Sequence, residues 1–325
     1  MLFWSKAFAG SNGAARRRLA AAQVFGLQHR GFSVHSLIYA EVAANKDWRG
    51  RQENKLFMTT YKIEAGTAQH IGNRPQQNDR VALMTGARAP GYVLAVLSDG
   101  IGGSAGSEQV LHTARQVFDE FKPGDRPSLE RLGDLLREIV SETHLVMKMN
   151  AVMGKENEQL DAHASFVGLV LTPHREAVWA HVGDSRLYRF TEGKCVTRSN
   201  DAAYIEHLIA SDRLPEEAAR NHRKSKLLLN VMGNSRKDPY VTVGSHTDLA
   251  PGDAFLLCSD GLWHFFTDAE LGAATHKATP RQASEMLINK AQERSQGKGG
   301  NCTMAIVKLV KPVQDGLPAR VGKPV

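Results

Sequence analysis

The sequence predicts an α+β fold in which antiparallel sheets carry helices grouped apart from them. Candidate strands follow one another through most of the chain, while helical periodicity is confined to a middle block and a stretch near the end, an order that opposes a repeated βαβ unit. Two of the strands are unalternating apolar runs that end in the same phrase, VLAVLSDG at Val93 to Gly100 and AFLLCSDG at Ala254 to Gly261. Runs of this kind read as strands buried on both faces. Each delivers an aspartate to the edge of a hydrophobic core.

Patterning begins at Thr59. Tyr61 to Ile63 and Arg80 to Met84 are expected to pair around the loop GNRPQQND, and Tyr92 to Leu97 forms a third strand. Beyond a glycine loop, Val110, Leu111, Ala114, Val117, Phe118 and Phe121 share a helical face that Lys122-Pro123-Gly124 ends. Ser128 is a candidate N-cap for a second helix, with Leu129, Leu132, Leu135, Leu136, Ile139 and Val140 at helical spacing. Strands are expected at Ser165 to Leu171, Ala177 to Val182, Arg186 to Phe190, Tyr240 to Ser245, Ala254 to Ser259 and Met304 to Val310. Thr191-Glu192-Gly193-Lys194 marks a hairpin turn into Cys195 to Thr197, and helical stretches fall at Ala203 to Ile209 and Ala283 to Ala291.

The net charge of +7 is uneven. Residues 1–57 hold nine Lys or Arg against three acids, so the rest sums to about zero and offers no basic stripe for a nucleic acid. That leader has no acid before Glu41 and contains Arg16-Arg17-Arg18; it suits an unstructured extension or an upstream stretch read in from a misassigned start, with Met58 as the start, and it also fits a transit peptide. No run approaches 18 apolar residues, so no membrane association is expected. Cys195, Cys258 and Cys302 lack metal-site spacing and leave one unpaired in any disulfide scheme, which fits a reducing cytoplasm. The expected layout is the leader 1–57, one domain over 58–310, and a loose Pro/Gly/Lys-rich tail over 311–325.

Ser98-Asp99-Gly100-Ile101-Gly102-Gly103 leads from a strand through glycines into a helix. Gly100, Gly102 and Ala105 formally satisfy a dinucleotide fingerprint, but the acids Asp119 and Glu120 fall inside the first helix instead of ending a second strand. The other reading makes Asp99 a cation ligand, with Asp260 in a matching phrase and Asp184 at a further strand end, in HVGDSRLY. Carboxylates without histidine or thiolate partners select Mg²⁺ or Mn²⁺ over Zn²⁺.

Five motifs in order, Asn73-Arg74-Pro75-Gln76-Gln77-Asn78-Asp79, Ser98 to Gly103, Val182-Gly183-Asp184-Ser185-Arg186, Ser259-Asp260-Gly261-Leu262-Trp263 and Asn301-Cys302-Thr303, resemble those of the metal-dependent PPM (PP2C-type) Ser/Thr protein phosphatases, in their bacterial form. The resemblance spans about residues 60–310. It implies an α-β-β-α sandwich of two antiparallel sheets flanked by helices, with a metal cluster in a cleft at one end. It further implies that Asp99 bridges two Mn²⁺ or Mg²⁺ ions, that the Gly100 carbonyl holds one and Asp260 the other, and that Asp184 with Asp260 holds a weaker third. Asp79 would support the waters around the ions from behind, and Arg74 would clamp the substrate phosphate. The implied reaction is hydrolysis of phosphoserine or phosphothreonine on a partner protein, opposing a Ser/Thr kinase, by a monomeric enzyme.

One departure touches the chemistry. Where the family pattern ends in Asp-Asn-x-Thr, this chain reads Gly299-Gly300-Asn301-Cys302-Thr303, so Gly300 stands for the aspartate or a residue has been lost from the run. Asn301 is then the available, weaker oxygen donor. The alternative function is a pseudophosphatase that binds phosphoproteins through a crippled metal site. Milder departures are Asn78, Asp201-Ala202-Ala203, Ala164-Ser165-Phe166, and His264 after Trp263. Arg213, Arg220, Arg223, Lys224 and Lys226 mark Asp201 to Lys237 as the variable flap over the cleft.

Overall fold

A computed structural model describes residues 61–153, 162–199 and 230–312, and the backbone of 23–29 and 32–40. The flap arginines and lysines, the helical stretch Ala203 to Ile209, and most of the leader and tail lie outside the described residues.

Among these residues the chain runs β1 (Gln23–His29), β2 (Phe32–Ala40), β3 (Lys62–His70), β4 (Arg80–Gly86), β5 (Ala89–Ser98) and the short β6 (Gly100–Ile101). Helices α1 (Ala105–Glu120) and α2 (Leu129–Met153) follow, then β7 (His163–Ala164), β8 (Phe166–Leu171), β9 (Ala177–Val182), β10 (Arg186–Thr191) and β11 (Lys194–Arg198). Strands β12 (Thr242–His246) and β13 (Asp253–Cys258) lead to α3 (Asp260–Trp263), α4 (Asp268–Lys277), α5 (Pro280–Ser295) and β14 (Cys302–Val310). One sheet has the order β1-β2-β3-β14-β13-β10-β11, the second β12-β9-β8-β5-β4, and β6 pairs with β7. Every pairing is antiparallel.

Three apolar clusters explain why the runs before Ser-Asp-Gly do not alternate. Val93, Ala95 and Leu97 of β5 and Phe255 and Leu257 of β13 meet between the two sheets. Leu94 and Val96 of β5 face the other way, against Val110, Phe118, Leu132 and Leu136 of α1 and α2. Leu256 and Cys258 of β13 face Leu271 of α4 and Ile288 of α5. Each strand is therefore covered on both faces, and each fully buried large side chain contributes about 2 kcal/mol. The result is the α-β-β-α sandwich that the resemblance implied. Cys258 is a buried core residue with its thiol pushed far up by burial.

Local chemistry matches the elements. The Ser128 side chain accepts from Arg131 N (3.1 Å) at the start of α2, a cap worth about 1 kcal/mol. Glu192 (φ 49°) and Gly193 (φ 77°) give the two left-handed turn residues that join β10 to β11.

Two expectations are corrected. Tyr61 to Ile63 and Arg80 to Met84 do not pair: β3 lies between β2 and β14 in one sheet, β4 beside β5 in the other, so the intervening loop crosses the sandwich at its end. The hairpin β1–β2 lies inside the stretch expected to be an unstructured leader. Its second strand takes up the free edge of β3, from Phe32 opposite His70 to Ala40 opposite Ile63; an unpaired edge is a strong template for such addition.

Candidate metal and phosphate site

The two Ser-Asp-Gly phrases emerge at the same end of the sandwich, and their serines fix them there. Ser98 Oγ donates to Ser165 O (2.7 Å), while Asp99 N donates to Ser165 Oγ (2.9 Å) and Ser165 N to Asp99 O (3.0 Å). In the second phrase Ser259 Oγ donates to Asp79 Oδ2 (2.8 Å) and accepts from Thr303 N (3.0 Å). Both glycines are sterically required. A Cβ at Gly100 would stand 2.4 Å from Gly103 O and 2.7 Å from Asn78 O, and one at Gly261 would stand 2.0 Å from Asn301 O.

Asn301 ties the loop 71–79 to the loop before β14. Its Oδ1 accepts from Asn78 N (2.8 Å), and its Nδ2 donates to Ile71 O (2.8 Å) and Gln76 O (3.0 Å). Asn73 N donates to Gly299 O (2.9 Å), and Gly72, at φ 65°, leaves no room for a Cβ against the Gly299 and Gly300 carbonyls. The loop 71–79 is thereby docked on the loop before β14. The amide of Asn301, expected to be a weak metal donor, bonds three backbone groups through both its atoms, and Gly300 is the residue before it on the cleft wall. A Cβ at Gly300 would lie 3.6 Å from Arg74 Nε, ordinary contact, and its φ is not left-handed. A side chain fits there.

The cleft has a volume of about 630 Å³, and Arg74, Asp99, Gly100, Asp260, Gly300 and Asn301 all line it. Asp79 is fully buried behind it. Burial pushes its carboxyl up to about 6 against the pull of hydrogen bonds from Ser259 and Thr303, with Asp260 adding repulsion. Burial likewise raises Asp99 well above the usual carboxylate range, helped by the charges of Asp79, Asp260 and Asp184. Asp184 is outside the lining, in the turn between β9 and β10, where Trp263 Nε1 donates to its carbonyl (3.0 Å). The His264 ring lies tilted at 41° against Trp263, with ring centroids 3.8 Å apart, and has Nδ1 3.9 Å from Asp260 Oδ2.

The family model described as "Protein phosphatase 2C" matches residues 65–294, more than half of the chain. The chain belongs to the protein phosphatase 2C family. The matched stretch ends before the Gly299-Gly300-Asn301 loop. The Mycobacterium tuberculosis "Serine/threonine protein phosphatase PstP" is 25% identical over 236 residues, 72% of this chain and 42% of that protein. This chain thus spans less than half the length of PstP. "Serine/threonine phosphatase stp" of Listeria innocua is 25% identical over 66% of this chain and 84% of its own length. The structure of the S. agalactiae serine/threonine phosphatase superposes with a TM-score of 0.62 at 23% identity, over 77% of this chain and all of the other. The catalytic domain of PstP in complex with two manganese ions gives 0.55 at 21%, over 77% of this chain and 99% of that domain. These likenesses show the PP2C fold.

The donor set suits hard divalent cations. It is all oxygen, its carboxylates Asp79, Asp99, Asp184 and Asp260 repel one another, and Asp79 Oδ1 is buried with no hydrogen-bond partner. Among the described residues no three His, Cys, Asp or Glu side chains converge to ligand spacing by themselves; Mg²⁺ characteristically keeps several waters and needs only one or two carboxylates from the protein. Sequence patterns did not single out Ser165, Ser259 or Thr303 as anchors. The serine inside each repeated phrase was the available signal, since a hydroxyl beside a buried carboxylate has to be bonded.

Proposed function

We propose that this chain is a Mn²⁺- or Mg²⁺-dependent protein Ser/Thr phosphatase whose substrates are proteins phosphorylated by a Ser/Thr kinase. The observation that carries this is the single cleft lined jointly by Arg74, Asp99, Gly100 and Asp260 above the buried Asp79. Asp99 and the Gly100 carbonyl, with Asp260 opposite, would hold two ions, and Asp184 with Asp260 a third. When bound, such ions neutralise a phosphate dianion and make water a competent nucleophile at neutral pH.

The protein's own part is orientation and charge. Arg74 is exposed on the docked loop and presents a planar fork of donors to the phosphoryl oxygens. Its backbone is fixed by the contacts of Gly72, Asn73 and Asn301, so the guanidinium acts from a rigid base. Asp79 is locked by Ser259 on one oxygen and keeps the other buried without a hydrogen-bond partner. Burial of Asp99 and Asp79 lowers the local dielectric and strengthens every charge interaction in the site. No side chain need attack phosphorus, and solvent in the open cleft protonates the leaving oxygen.

The glycine at position 300 favours a second reading, a pseudophosphatase that binds phosphoproteins without turnover. Gly300→Asp separates the two. Because its side chain is accommodated beside Arg74, the variant should fold as wild type. On the phosphatase reading its rate of phosphate release from a phosphothreonine peptide changes by no more than about threefold, less than about 0.7 kcal/mol. A gain of a hundredfold or more from an inactive wild type supports the pseudophosphatase.

A further inference from the structure

Lys298 lines the same cleft as Arg74, Asp99 and Asp260, and it is exposed. Its backbone is not that of a free surface loop. Gln296 (φ 51°) and Gly297 (φ 72°) reverse the chain after α5, Lys298 N donates to Ser295 O (2.9 Å), and the next residue accepts from Asn73 N (2.9 Å). Arg74 and Lys298 are thus mounted on two loops bonded to each other. Arg80, Arg281 and Arg294 are paired with Glu108, Glu285 and Glu270, whereas neither Arg74 nor Lys298 has an ion-pair partner among the described residues. The residues between Lys298 and Asn301 are both glycine, and no carboxylate at position 300 competes for Arg74, whose Nε lies 3.6 Å from where a Cβ there would stand.

We propose that Lys298 is a second phosphate-binding side chain, gripping with Arg74 the phosphoryl group of the substrate. The inference rests on the phosphatase reading above and extends it. A carboxylate at position 300 would sit against the Arg74 guanidinium and draw charge from the phosphate; glycine there, with a lysine two residues earlier, turns the same stretch of wall cationic. Part of the charge complement that a metal-only site would supply comes here from side chains. Phosphate binding therefore survives, in weakened form, without divalent cations.

The test is isothermal titration of inorganic phosphate into the full-length chain after EDTA treatment, with Lys298→Ala, Lys298→Arg and wild type compared. Loss of one charge-assisted contact weakens phosphate binding about tenfold in Lys298→Ala, while Lys298→Arg stays within about threefold of wild type; both variants should melt with wild type because the side chain is exposed. With Mn²⁺ and a phosphopeptide, Lys298→Ala should raise KM more than it lowers kcat. Wild-type affinity in Lys298→Ala, or no phosphate binding by metal-free wild type, overturns the inference. Failure of the phosphatase reading looks different: wild type releases no phosphate from the peptide even with Mn²⁺, whatever the binding data show.

Discussion

Asp99→Asn should lower phosphate release by at least about 10³-fold while making the metal-free protein more stable. Asp99 is raised well above its ordinary range by burial and by Asp79, Asp260 and Asp184, so in the absence of cations its carboxyl is a cost to the fold. Asparagine keeps the shape and removes the charge. Its melting temperature without metal should rise by roughly 2–4 °C for each kcal/mol of repulsion relieved, and the stabilisation that wild type gains from Mn²⁺ should largely disappear. Calorimetry with and without Mn²⁺, alongside a phosphopeptide assay, reads both effects. A variant that is less stable without metal, or that retains activity, contradicts the role given to Asp99.

Arg74→Ala should lower kcat/KM by about 10²-fold, the loss expected when a forked, charge-assisted pair of contacts to phosphate is removed. Arg74 is exposed and makes no side-chain contact that the fold depends on among the described residues, so the melting temperature should stay within a degree or two. Arg74→Lys should recover only part of the loss, because an ammonium keeps the charge without the fork. Steady-state kinetics on a phosphothreonine peptide decide this, and equal activity of Arg74→Ala and wild type removes Arg74 from the site.

Much of this arrangement was legible in the residues. The helical faces of α1 and α2 announced themselves because large apolar side chains recur at helical spacing against a sheet. The repeated Ser-Asp-Gly phrase pointed to the cleft that Asp99 and Asp260 both line, because a carboxylate at the end of a strand buried on both faces has few structural uses. Helix α4 escaped notice: its sequence DAELGAATHK buries a single large apolar residue, Leu271, among small ones and lacks a strong stripe, although Thr267 and Glu270 form a reciprocal capping box. Strand β3 is longer than its visible pattern because Ala65, Gly66, Thr67 and Ala68 pack as small residues between β2 and β14. The role of Asn301 was obscured for a related reason. An amide beside an expected metal site reads as a ligand, and only the positions of Ile71, Gln76 and Asn78 show that it bridges two loops.

The missing carboxylate at Gly300 sharpens what activity means for this chain. With no carboxylate at position 300, two cations would rest on Asp99, Asp260, the Gly100 carbonyl and water, a weaker set than one with a further aspartate. The most direct test of the proposed function is a Mn²⁺ titration of wild-type phosphate release from a phosphothreonine peptide after EDTA treatment. The account predicts no turnover without metal and saturable activity at millimolar Mn²⁺ that is absent from Asp99→Asn. Wild-type release no greater than that of Asp99→Asn at any Mn²⁺ concentration would contradict it.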